Sequence, residues 1–208
     1  MEFTQRFRGH LAYIPIFQVT TVAASNQPGG GVAKVVSSSA SDTQIITIFG
    51  ARTNLSGYYY EQLALNGTTA VTSTTTDWNN ILGAYLGNIS GVPSAVGVGT
   101  ITVANTGGST IYSIAAGARS IGTVIFNLAG KNVEVENITG NTWFNAATPT
   151  NTNYTNSGNL TNNPNAPVAT TANGIQMAGR MSRELKVIDF ISFVSDSSST
   201  CQILQLEG

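Results

Sequence analysis

The sequence predicts an all-β protein, an antiparallel sandwich. Three observations predict it: short β-branched runs punctuated by turn residues, almost no helical periodicity, and very little charge. Charged residues make up only 9% of the 208-residue chain, against roughly 25% in an average soluble domain. Thr, Asn, Ser and Gly take their place. A disordered chain would instead be rich in charge and proline, and this one has six prolines among β-branched runs throughout.

Taken in order, residues 1–10 read as an extended arm carrying Phe3, Arg6, Phe7 and Arg8, and residues 11–208 as a single sandwich domain. Candidate strands with period-two character are Ala12–Thr20, Val32–Ser37, Gln44–Phe49, Tyr58–Leu65 and Thr68–Ser73. Further on come Gly97–Ala104, Ser109–Ile114, Gly122–Leu128, Asn132–Ile138, Leu185–Val194 and Cys201–Leu206. Asn66-Gly67 predicts a two-residue hairpin turn, because both residues tolerate positive φ. Gly107-Gly108 and Gly130-Lys131 are similar punctuation. Trp78, Ile81, Leu82 and Tyr85 recur at i, i+3, i+4 and i+7, which predicts a helical turn leading into a strand. Residues 145–173 lack either period and read as a long Asn/Thr-rich loop.

Few functional chemistries fit this composition. A net charge of −1 gives no field to draw nucleic acid or an anionic membrane. No apolar run reaches the length of a membrane span. The apolar stretch Leu11 to Phe17 is interrupted by Pro15 and lacks a cleavage site, so synthesis in a reducing cytoplasm without a signal peptide is expected. His10 is the sole histidine and Cys201 the sole cysteine, so neither a disulfide framework nor a His/Cys metal site is expected. No cofactor is expected. A buried structural thiol is the simplest account of Cys201.

Among the carboxylates, Glu134 and Glu136 are two apart in a strand, roughly 7 Å on one face, a separation compatible with an inverting glycosidase pair. Val133, Val135 and Ile138 favour an ordinary alternating strand with glutamates on its wet side. The chain is therefore read as non-enzymatic. Gly97-Val98-Gly99 lacks the third glycine and crossover helix of a phosphate cradle. In Tyr58-Tyr59-Tyr60 alternation sends Tyr58 and Tyr60 to one face, as core residues or as a sugar platform. Trp143 and Tyr154 are the candidate contact residues at the neutral loop. Six Asn-x-Ser/Thr matches, at Asn54, Asn66, Asn88, Asn137, Asn153 and Asn159, are at the level chance supplies in so Asn- and Thr-rich a chain.

Charge is absent from two long stretches, between Asp77 and Arg119 and between Glu136 and Arg180. Strands that bury both faces, or that meet another subunit, must avoid unpaired charge, which is costly to desolvate. A neutral Thr-rich exposed surface is the other account of the same pattern.

The middle of the chain, about residues 40 to 140, resembles a loose group of tailed-bacteriophage virion proteins. Three pieces carry the resemblance. The first is Tyr60-Glu61-Gln62-Leu63-Ala64-Leu65-Asn66-Gly67-Thr68-Thr69-Ala70-Val71. The second is Val98-Gly99-Thr100-Ile101-Thr102-Val103, followed by Gly107-Gly108 and Ile111 to Gly117. The third is Phe126 to Val135, in which Ala129-Gly130-Lys131 stands where relatives often have Pro-Ala-Gly-Lys. Such proteins look like jelly-roll or related β-sandwich modules that decorate, cement or project from phage heads. The resemblance implies a virion location and partners that are identical subunits, with a trimer the expected form, and the major capsid or other virion proteins. The arm residues Phe3, Arg6, Phe7 and Arg8 would anchor in a neighbour's groove, plain disorder being the alternative. The rival reading is a fibre or adhesin module that binds host-surface carbohydrate through Trp143 and loop side chains.

Overall fold

In the computed structural model, the described residues are 10–19, 26–55, 58–89, 95–127, 130, 132–145, 157–159, 175–186, 190–195 and 199–206. Among them every regular element is a strand, seventeen in all. The first described strand is β1 (His10–Val19). Next come β2 (Lys34–Ser37), β3 (Ile45–Arg52), β4 (Tyr58–Ala64), β5 (Val71–Thr72), β6 (Trp78–Leu86), β7 (Ile101–Ala104), β8 (Thr110–Ile114) and β9 (Ser120–Gly122). Then follow β10 (Val124–Asn127), β11 (Asn132–Thr139), β12 (Thr142–Asn145), β13 (Ser157–Asn159), β14 (Ile175–Met177), β15 (Met181–Lys186), β16 (Phe190–Ser195) and β17 (Ser199–Leu206).

Eight of these form two four-stranded antiparallel sheets, ordered β1-β17-β11-β15 and β10-β16-β12-β14. Ranked along the chain, the first sheet holds the first, eighth, third and sixth of the eight, and the other holds the second, seventh, fourth and fifth. First pairs with eighth, second with seventh, third with sixth and fourth with fifth. That is one long antiparallel hairpin rolled up so that β11 also meets β17 and β12 meets β16. The result is a jelly roll. Its interior is filled by Val133, Val135, Phe144, Met177, Ile191, Phe193, Cys201 and Ile203, all buried.

Strands β2 to β9 are inserted between the first and second jelly-roll strands. Joined by β13 from the later Asn/Thr-rich segment, they build a five-stranded sheet, β13-β4-β3-β6-β9, and by themselves a four-stranded outer sheet, β5-β2-β7-β8. The five-stranded sheet is covered on both faces. Ile46, Ile48, Ile81, Ala84 and Leu86 pack with Val35, Ile101, Val103 and Ile114 of the outer sheet. Phe49, Tyr60 and Tyr85 join the cluster that contains the jelly-roll interior. The uncharged stretch that begins after Asp77 therefore starts with a strand, β6, that has no wet face.

Several expectations need correction. Trp78–Leu86 is strand throughout, with no helical turn. Ala51 and Arg52 pair with Asn80 and Trp78, and Phe49 and Gly50 with Gly83 and Ile81, so Asn79 and Leu82 are each an extra, bulged residue. Each bulge adds one residue to the repeat. Trp78, Ile81 and Ala84, which share one core, thus fall three apart and imitate a helix. The segment Leu185–Val194 is two strands, β15 and β16, in different sheets. The tight turn at Asn66 does form, with Thr69 N–H donating to Asn66 C=O at 3.0 Å. Its positive φ, however, lies at Gly67 and not at Asn66. Nor is it a simple hairpin, since β4 and β5 belong to different sheets. The Asn/Thr-rich loop contains a strand after all: Ser157, Gly158 and Asn159 pair with Glu61, Tyr60 and Tyr59 and extend the five-stranded sheet. The Gly107-Gly108 turn joins paired strands β7 and β8 as expected.

Candidate assembly surface

At one end of the inserted sandwich β2, β4, β6 and β8 finish and β3, β5, β7 and β9 begin. Five segments meet there, 38–44, 65–70, 87–89, 95–100 and 115–119. Backbone hydrogen bonds lace them together: Ser38 to Thr100, Leu65 to Gln44, Gly87 to Ile45, Leu86 to Arg119 and Gly97 to Ala118, N–H to C=O in each.

The centre of this lacing is Asp42, fully buried. Its carboxylate accepts from Val98 N–H at 2.9 Å, Gly99 N–H at 2.9 Å, Gln44 Nε2 at 3.1 Å and the Ser37 hydroxyl at 2.5 Å. Its own C=O accepts from Gly67 N–H at 2.9 Å. Burial alone would raise the carboxyl's pKa. The Ser37 hydroxyl, the two backbone N–H groups and the Gln44 amide outweigh it and hold the pKa at about 2, below the ordinary 3.8. Gly99 is needed for this approach: a Cβ there would sit 2.6 Å from Ser39 N and from Ser38 Oγ. Gly97-Val98-Gly99 is thus an anion cradle, and its anion is a carboxylate of the same chain.

Exposed side chains at this end are small or neutral: Ser38, Ala40, Ser41, Thr43, Asn66, Thr68, Thr69, Ala70, Asn88, Thr100, Ala115 and Ala116. Among them stand Val98, 65% exposed, Val96, 40%, and Ile45, 37%. No described Asp, Glu, Lys or Arg is exposed here. Arg119 is half-buried, with its Nε sealed from solvent. Elsewhere in the insertion the charges are mostly buried or paired, the exception being half-buried Lys34, which donates to Thr106 C=O at 2.8 Å. Glu61 is buried and accepts from Thr74 N–H, the Thr74 hydroxyl and Thr75 N–H. At the opposite end Arg52 is ion-paired with Asp77 at 2.6 Å and stacks 5.3 Å from the Tyr59 ring centroid.

Of the residues predicted as contacts, Phe3, Arg6, Phe7, Arg8 and Tyr154 lie outside the described residues. Trp143 lies half-buried on β12, on the opposite face from buried Thr142 and Phe144, and directly across from Gln176 and Val194. Tyr60 is core and Tyr58 packs against it, while Tyr59 lies on the other face with the outer-sheet cluster. Glu134 and Glu136 alternate with buried Val133 and Val135, the ordinary strand pattern. They face Glu184 and Ser182 on β15, and Gln202 donates to Glu136. Among the described residues no three His, Cys, Asp or Glu side chains gather as metal ligands. Asn137 is buried, bonded to the C=O of Gly140 and Met177, so its glycosylation motif is closed to modification.

Cys201 is buried beside the Thr142 hydroxyl, and burial pushes its thiol up to about 11. It should react with a thiol reagent at neutral pH only as fast as the protein unfolds. Prompt stoichiometric labelling of the folded chain would contradict this placement.

Sequence reasoning misses Asp42 and Val98. The visible signal is the Gly-x-Gly at 97–99, which fits no external phosphate and so points nowhere until its internal anion is seen.

No family model, curated protein or solved structure matches this chain.

Proposed function

We propose that this chain is a non-enzymatic structural protein of a phage particle, a head decoration, cement or accessory protein that works by packing against identical subunits and neighbouring virion proteins. The observation that carries this reading is the withdrawal of charge from the inserted sandwich. Asp42 and Glu61 are buried in hydrogen bonds and Arg52 is paired with Asp77. What remains at the loop end is hydroxyl, amide and aliphatic surface. Protein–protein contacts are depleted in charge at their centres because desolvating an unpaired ion costs several kcal/mol. Jelly rolls recur in viral capsid and lectin domains; the resemblance to phage virion proteins, which covers most of the insertion and strands β10 and β11 of the roll, favours the first.

The test is copurification. The chain should remain with intact virions through density-gradient purification, at a fixed ratio to the main shell protein. Its absence from purified particles would sink the reading.

One observation favours a lectin-like alternative: the half-buried Trp143 directly across from exposed Gln176. Rings stack on sugar faces and amides bond hydroxyls. On that reading a glycan array probed with the full chain gives hits that vanish in Trp143→Ala. No binding by the unaltered chain would discard it.

A further inference from the structure

We infer that the loop end of the insertion, centred on Val98, is a contact between copies of this chain gathered around a symmetry axis, with Asp42 as the residue that positions it. This rests on the reading above and names the surface and the occupant.

Charge logic selects a second copy as occupant. Side chains near a symmetry axis meet their own counterparts, so any exposed charge there faces its like. Neutral, small side chains escape that repulsion. The end built by segments 38–44, 65–70, 87–89, 95–100 and 115–119 has no fully exposed charge among its described residues, its one cation, Arg119, being half-buried, whereas a well-solvated surface carries about 25–35% charged residues. A charged partner protein would find nothing here to complement.

The other exposed apolar pair behaves differently. Ile175 and Met181 flank the β14–β15 turn but sit among exposed Arg180, Arg183 and Glu184. Those charges suit solvent and guard the β15 edge.

The surface is also held in shape. Val98 projects from a loop whose two adjacent N–H groups are fixed on the buried Asp42 carboxylate. Gly67 N–H bonds the C=O of the same residue, so one side chain and its backbone tie three of the five segments. A preorganised contact loses less entropy on association than a floppy one.

The experiment is sedimentation equilibrium of the full chain and of three variants, with thermal unfolding as the check on folding. Val98→Asp and Val96→Asp place a carboxylate at positions open enough to leave the fold intact, and each should weaken self-association by about 100-fold or more. Leu55→Asp, at the opposite end and 45% exposed, should leave it unchanged. Raising ionic strength should not dissociate the unaltered chain. If Val98→Asp and Val96→Asp associate like the unaltered chain, the surface is wrong while the subunit-packing reading stands. A chain that stays monomeric at millimolar concentration overturns the second copy as occupant, and copurification with particles then decides the broader reading.

Discussion

Asp42→Ala is expected to lower the unfolding free energy by about 3 kcal/mol at pH 7, the scale of removing one member of a buried, hydrogen-bonded charged cluster. The substitution strips the Val98 and Gly99 N–H groups, the Ser37 hydroxyl and the Gln44 amide of their shared acceptor. Asp42→Asn keeps the shape but turns an NH2 toward one of these donors, and should cost about 2 kcal/mol. Acid separates the charge from the shape. The folded pKa of about 2 lies below the ordinary 3.8, so the contribution is present in full above pH 3.8 and is lost as pH falls toward 2. A shift of that size is worth about 2 kcal/mol. Urea titrations across that range should show the gap between the unaltered chain and Asp42→Asn closing as pH falls. A gap at pH 7 under about 0.5 kcal/mol would mean that the carboxylate does not pin the loops.

Gly83→Ala should cost about 3 kcal/mol, at the upper end for overpacking, because the obstacle is backbone. A Cβ at Gly83 would lie 2.1 Å from Thr123 O and 2.6 Å from Thr123 N. This is where the chain leaves β9, through Gly122 at φ +74, and enters the jelly roll at β10. Gly83 pairs with Gly122 across the β6–β9 ladder, and the absence of side chains lets the exit strand lie close. Gly108→Ala is the control. Gly108 has φ +85, but an added methyl would meet nothing within 4 Å, so only conformational cost applies, about 1 kcal/mol. Urea midpoints that rank Gly83→Ala no worse than Gly108→Ala would contradict the close approach.

Strands with one wet face were legible. The alternation of Val133 and Val135 with Glu134 and Glu136 is the pattern that burial follows. β6 misled because it is buried on both faces and carries two bulges, so its apolar residues lost the period of two. β15 and β16 ran together because the apolar Val187-Ile188 between them gives no turn signal. The jelly-roll winding was beyond reach in detail: it depends on pairs such as Ile14 with Ile203, far apart in sequence. The same holds for the insertion between β1 and β10. At the candidate site the charge-free stretch after Asp77 was visible, but its meaning divides. β6 needs no charge because it is interior, whereas the exposed residues from Val96 to Gly117 lack it at a surface. Asp42 stayed hidden because its decisive partners are backbone N–H groups, which no side-chain motif announces.

Cryo-electron microscopy of particles that contain this chain tests the central claim most directly. Residues 38–45, 66–70, 95–100 and 115–119 should lie in subunit contacts, with Val98 against a neighbouring copy. Finding that end in open solvent, with the insertion touching no other subunit, would contradict the account.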